Sequence, residues 1–176
     1  MPPLLKDPAV MTALLVAVMA AVTDLKARIV PNVLIVVGLV LGFGLQIHAT
    51  GMPGFLRALE GAAIGLMVFL PFYLAGGMGA GDVKLMAALG ACLGPMEILR
   101  VALVASLVGA MMAVAIASRR GTLGRVLRST GRLIAAWFTR WPRRIPELTL
   151  EAPGTLTIPY AVAIAAGAMA CVLGVS

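Results

Sequence analysis

Apolar residues run through this chain in long blocks, and the charged residues collect in the gaps between them. Six apolar segments can be drawn, at roughly 4–23, 33–50, 56–75, 83–94, 98–118 and 156–175. None shows the period-two alternation of a lipid-exposed barrel strand, and backbone groups in hydrocarbon need partners within their own segment, so the pattern predicts helices. Five of the six approach the length of about 20 residues that a helix needs to cross a bilayer core. The fourth is the exception. Val83 to Gly94 is followed at once by Pro95 and Glu97, and twelve residues rise only about 18 Å. Such a helix spans only if one end is recessed. The preceding run Gly76-Gly77-Met78-Gly79-Ala80-Gly81 marks that end as the one sheltered inside the protein, where broken backbone is tolerated at membrane depth. The expected fold is all-α: a polytopic membrane protein with about six transmembrane helices, forming a single membrane-embedded domain over 1–176.

Composition strengthens this picture. Hydrophobic residues make up 61% of the chain and charged residues 12%, with a mean hydropathy of +1.06, which excludes an ordinary soluble domain. Cys92 and Cys171 both lie in apolar runs and form no CxxC pair, so neither a zinc site nor a secretory disulfide framework is implied. The expectation is no metal and no cofactor.

The basic residues set an orientation. Lys26 and Arg28 lie in the gap at 24–32, Lys84 follows the gap at 76–82, and the long gap at 119–155 holds Arg119, Arg120, Arg125, Arg128, Arg132, Arg140, Arg143 and Arg144. The opposite gaps offer Arg57 and Arg100, with Lys6 in the N-terminal tail. The positive-inside rule then puts both termini outside and the three richer loops in the cytosol. Within 122–138, Arg125, Arg128 and Arg132 recur at helical spacing beside Val126, Leu133, Ile134, Trp137 and Phe138. That is the pattern of an interfacial helix drawn to anionic lipid, although a plain positive-inside loop has the same arginines. Nucleic acid is not an expected partner, because the net charge of +7 comes mostly from these topology-setting residues.

Two aspartates break the apolar pattern on the same predicted side. Asp24 ends the first segment and Asp82 starts the fourth. Carboxylates at membrane level are costly and default to functional hypotheses. The bland alternatives are a solvated helix end for Asp24 and an N-cap of a helix beginning at Val83 for Asp82. Two carboxylates sharing a proton divide into a base, which takes a proton from water, and an acid, which donates to a carbonyl oxygen. A serine or cysteine nucleophile with a histidine base cannot be assembled, since the sole histidine, His48, falls at the far end of the second segment. Gly79 and Gly81 would let backbone approach an extended peptide and adopt dihedrals closed to other residues. Arg57 and Glu60, three apart, are expected to pair along one helix. Gly61, Gly65, Gly109 and Ala113 offer small surfaces for close helix approach.

The segments Asp24 to Asn32 (DLKARIVPN) and Gly79 to Lys84 (GAGDVK) together resemble the paired signature of the type IV prepilin peptidases, the GxGD aspartyl proteases of the membrane. The stretch Ile158 to Gly167 (IPYAVAIAAG) is similar to that family's last helix, departing with Ala161 and Val162 where glycine and proline are common. The resemblance implies Asp24 and Asp82 as the catalytic pair, with Gly79, Gly81, Lys84, Pro31 and Asn32 shaping the site. It implies cleavage, at the cytosolic face of a bacterial inner membrane, of a prepilin or pseudopilin leader ending in glycine, with pilus-assembly machinery as a further partner. The chain begins almost at its first helix without two CxxC pairs, so it looks like the small peptidase-only form of tight-adherence (Flp) systems, lacking an N-methyltransferase region. Two other classes fit the aspartates less economically. One is a small transporter or proton relay, and the other is a non-catalytic pilus-assembly scaffold.

Overall fold

The computed structural model describes residues 7–74, 78–119, 121 and 159–173. Six α-helices form within them: α1 (Pro8–Ala27), α2 (Asn32–Thr50), α3 (Met52–Leu74), α4 (Ala80–Leu93), α5 (Pro95–Arg119) and α6 (Tyr160–Leu173). Four of these, α1, α2, α3 and α5, are long and apolar enough to cross a membrane, and the protein is a multi-pass α-helical membrane protein. That is one fewer than the segment lengths predict, because α6 covers 14 described residues. The expected interfacial helix at 122–138, and most of the basic loop at 119–155, lie outside the described residues.

Local chemistry sets the helix ends. Asp7 caps α1, its Oδ1 accepting the Ala9 N–H at 2.9 Å with Pro8 at the first helical position. At the other end Arg28 closes α1 in a left-handed conformation, φ 56°. The helix therefore runs four residues beyond the expected boundary and includes Asp24. Pro31 holds extended backbone ahead of α2. A single residue, Gly51, turns α2 into α3 at φ 68°. Gly94 does the same between α4 and α5 at φ 86°, where Pro95 supplies a preset first turn.

The centre of the bundle is α4, which packs against α1, α2, α3, α5 and α6. Every residue from Leu85 to Leu93 is buried. At about 21 Å it is too short for a hydrocarbon core of about 30 Å. Because other helices surround it, lipid thickness does not constrain its length. The outer helices instead present large apolar side chains outward, among them Val33, Met67, Leu103 and Met111, as a lipid-facing surface requires.

Small residues let these helices approach. Along α1 the buried positions Ala9, Ala13, Ala17 and Ala20 make a continuous stripe. At the crossing of α3 and α4, a Cβ on Gly61 would strike the Gly90 carbonyl oxygen, and one on Gly90 would strike that of Gly61. Gly65 lies similarly against the Met86 carbonyl, and Gly109 against the Tyr160 ring. Three of the four small residues expected at helix contacts thus sit at close crossings. Arg57 does not pair with Glu60; its Nη2 donates to the Leu93 carbonyl at 3.4 Å, reaching from α3 to the last turn of α4. Buried Gln46 donates to the neighbouring Cys92 carbonyl at 2.7 Å. A short helix ending within protein leaves unpaired carbonyls, and these two side chains meet them.

Two predictions follow from this packing. Gly61→Ala or Gly90→Ala should destabilise the detergent-solubilised protein by about 1–3 kcal/mol, whereas Gly44→Ala, on an exposed helix face with open space around it, should be neutral or slightly stabilising. Thermal melting of the three variants distinguishes them. Gln46→Leu should cost about 1–3 kcal/mol by stranding the Cys92 carbonyl, read from the same melts.

Candidate active site

The helices alternate in direction, which gathers the C-terminal end of α1 and the N-terminal ends of α2, α4 and α6 at one end of the bundle. Both sequence motifs fall there and touch. A Cβ on Gly81 would lie 3.2 Å from the Val30 Cβ, Lys84 Nζ donates to Asn32 Oδ1 at 3.3 Å, and the Asp24 and Asp82 carboxylates lie within electrostatic reach of each other.

Asp24 is 8% exposed, not the solvated helix end that its neighbouring bases suggest. It sits near the C-terminus of α1, where the helix dipole disfavours a negative charge. Two neighbours counter that. Its Oδ2 accepts the Ala161 N–H at 3.2 Å, one of the unpaired amides of the first turn of α6. The Arg28 guanidinium attracts it electrostatically, while the Arg28 N–H closes the helix on the Asp24 carbonyl at 2.9 Å.

Asp82 is not an N-cap. The helix begins at Ala80 with Gly79 as its cap residue, so Asp82 occupies the third helical position. From there its carboxylate lies beside Gly79, with Oδ2 3.3 Å from where a Cβ on that glycine would stand, while its own N–H donates to the Gly79 carbonyl at 3.2 Å. The side chain is half-buried and keeps an open side.

Gly79 and Gly81 act through space rather than through unusual dihedrals. Gly79 is extended at φ −73°, and neither is among the glycines with positive φ. A side chain at 79 would crowd Asp82 Oδ2, 3.3 Å from the Cβ position, and one at 81 would press on Val30. Lys84 links α4 to the start of α2 through Asn32. Pro31 accepts the Leu34 and Ile35 N–H groups at 3.1 and 3.4 Å, closing the first turn of α2. Among the described residues no group of three or more His, Cys, Asp or Glu is placed to hold a metal ion.

The stretch Ile158 to Gly167 marked in the sequence the helix that forms the third wall of this site, though not the contacts it makes. It is the first turn of α6, which brings the Ala161 amide to Asp24 and the Tyr160 ring to within electrostatic reach of Asp82. Pro159 stands just ahead of that helix, whose first amides lack carbonyl partners within the helix.

Asp24→Ala should release the Ala161 amide and raise its hydrogen exchange roughly tenfold, while Asp24→Asn, which keeps an acceptor, should raise it less. Exchange measured by mass spectrometry in detergent reads the difference.

No curated protein and no solved structure showed a match to this chain. Residues 11–114, more than half of the sequence and including both aspartates, match the description of a known family: with its two motifs joined at one end of a helical membrane bundle, the chain belongs to the type IV leader peptidase family.

Proposed function

We propose that this protein is an aspartic endopeptidase that removes the leader peptide of type IV, Flp-like prepilins at the cytosolic face of a bacterial inner membrane. The observation that carries the reading is the pairing of Asp24 and Asp82 from separate helices within electrostatic reach, in a chain of the leader peptidase family. In this reading one carboxylate is ionised and the other protonated, since two close carboxylates resist double ionisation. The ionised carboxylate takes a proton from water as its oxygen bonds to the scissile carbonyl carbon, and the protonated carboxylate donates to the carbonyl oxygen. Collapse of the resulting diol breaks the C–N bond, with a proton passing to the leaving nitrogen. Gly79 and Gly81 leave room for an extended peptide beside Asp82, and Lys84 with Asn32 holds the two motifs together.

In the same reading both termini face outward, the arginine-rich loop at 119–155 is cytosolic and meets anionic lipid, and the apolar helix of the pilin stays in the membrane while its leader enters the site. Asp24→Asn and Asp82→Asn should each lower cleavage of a cognate prepilin by the protein reconstituted in vesicles by about 10²–10⁴-fold. Full activity in either would sink the assignment. The pH profile of kcat/KM should be bell-shaped: activity falls at low pH as the ionised member gains a proton, and at high pH as the protonated member loses its own. Both limbs belong to the pair as a unit.

A further inference from the structure

A groove runs down the outer surface of the bundle between α3 and α5. Val68 lines it from α3, and Leu99, Ala102, Leu103, Ser106 and Leu107 line it from α5, enclosing about 460 Å³. Its relief is set by side-chain size. Ala102 lies buried at the bottom and Ser106, one turn on, is small, while Leu103 and Leu107 stand beside them 65% and 60% exposed. Small residues at a spacing of four let a second helix approach closely. The larger leucines alongside give such a helix a ridge to pack against.

Its place along the bundle ties the groove to the aspartates. Asp82 lies twelve residues before the Gly94 turn and Ser106 twelve residues after it, so on these antiparallel neighbours both stand about 18 Å from that turn. The inner end of the groove is therefore level with Asp82, and from Leu107 back to Leu99 it runs about 12 Å away from the end that holds the aspartates. At the inner end groove and site adjoin. Phe69, next to Val68 on α3, packs edge-on against the Tyr160 ring with centroids 5.9 Å apart. That ring lies over Gly109, two residues past Leu107, where a Cβ would strike it. The following amide, Ala161, is the donor to Asp24 at 3.2 Å, so one aromatic pair stands between the groove and the carboxylates. A substrate cut at the aspartates while its apolar helix stays in the membrane must lay the first turns of that helix on the outward side of the site, starting at its level. The groove starts there and runs that way. Resting on the aspartic peptidase reading, we propose that the groove between α3 and α5 is the docking surface for the substrate's apolar helix and seats about two turns of it directly after the scissile bond.

The test uses the full chain reconstituted in vesicles with a cognate prepilin. Ser106→Phe, which fills the groove from an exposed position, should raise KM roughly fivefold or more with kcat within about twofold, the signature of lost binding that ground state and transition state share. Its melting temperature should be unchanged. Val40→Phe, a comparable enlargement on the exposed face of α2, should leave both constants at wild-type values. A photoreactive benzophenone side chain at Leu103, introduced into the Asp82→Asn protein so that substrate is bound and not consumed, should cross-link to the apolar helix of the prepilin within about two turns of the cleavage site. The same group at Val40 should not. Cross-links from Leu103 to lipid alone, or to a second copy of the chain, would overturn the docking surface, as would a wild-type KM in Ser106→Phe or a loss confined to kcat. Asp24→Asn and Asp82→Asn, run beside them, separate the two levels: if these retain cleavage the peptidase reading fails, whereas if they are inactive and Leu103 captures no prepilin, only the groove assignment fails.

Discussion

The peptide groups at the C-terminal end of α4 have no bulk water to turn to. This helix is about 21 Å long, wrapped by five others and buried from Leu85 to Leu93, and an unpaired amide or carbonyl in that setting costs several kcal/mol. At its C-terminus, Gln46 from α2 and Arg57 from α3 supply donors to the Cys92 and Leu93 carbonyls. At its N-terminus, the Asp82 carboxylate lies beside Gly79. One end of the helix is thus sealed by side chains from its neighbours, and the other carries a carboxylate inside the bundle yet half-open.

Close packing around α4 depends on glycine at the crossings. With Gly61 and Gly90 backbone to backbone, α3 and α4 approach more closely than any side chain would permit, and dispersion contacts substitute for the hydrophobic drive that lipid removes. That tight core carries α1 and α6 on its other sides. It fixes Asp24 against the start of α6, where a free helical amide and the Arg28 charge meet a carboxylate that its own helix dipole disfavours. Asp24 and Asp82 thus lie within electrostatic reach of one another on opposite kinds of helix terminus, each with a different set of neighbours. Unequal surroundings are what an acid and base pair of like groups requires.

Much of this was legible in the residues. The apolar blocks located all six helices to within a few residues, and the short fourth segment stood out by length alone. The polar interruptions marked Asp24 and Asp82, and the two motifs indicated the family. Errors fell where a neighbour in space decides. Asp82 reads as an N-cap until the helix is seen to start at Ala80, and Arg57 reads as a partner for Glu60 until the Leu93 carbonyl is within its reach. Gly79 and Gly81 invite a dihedral explanation, while the structure uses their missing side chains as space beside Asp82 and Val30.

The sequence by itself determined the membrane setting, the helices and the candidate carboxylates, because hydropathy, length and the cost of burying charge are properties of local composition. Only the tertiary structure decided which helix ends share a site. Ala161 and Tyr160 join it from far along the chain, through an amide donated to Asp24, an edge-on ring contact with Phe69 and a close approach over Gly109. Contacts of that kind depend on how helices cross, and crossing is set by pairs of surfaces that no single segment contains.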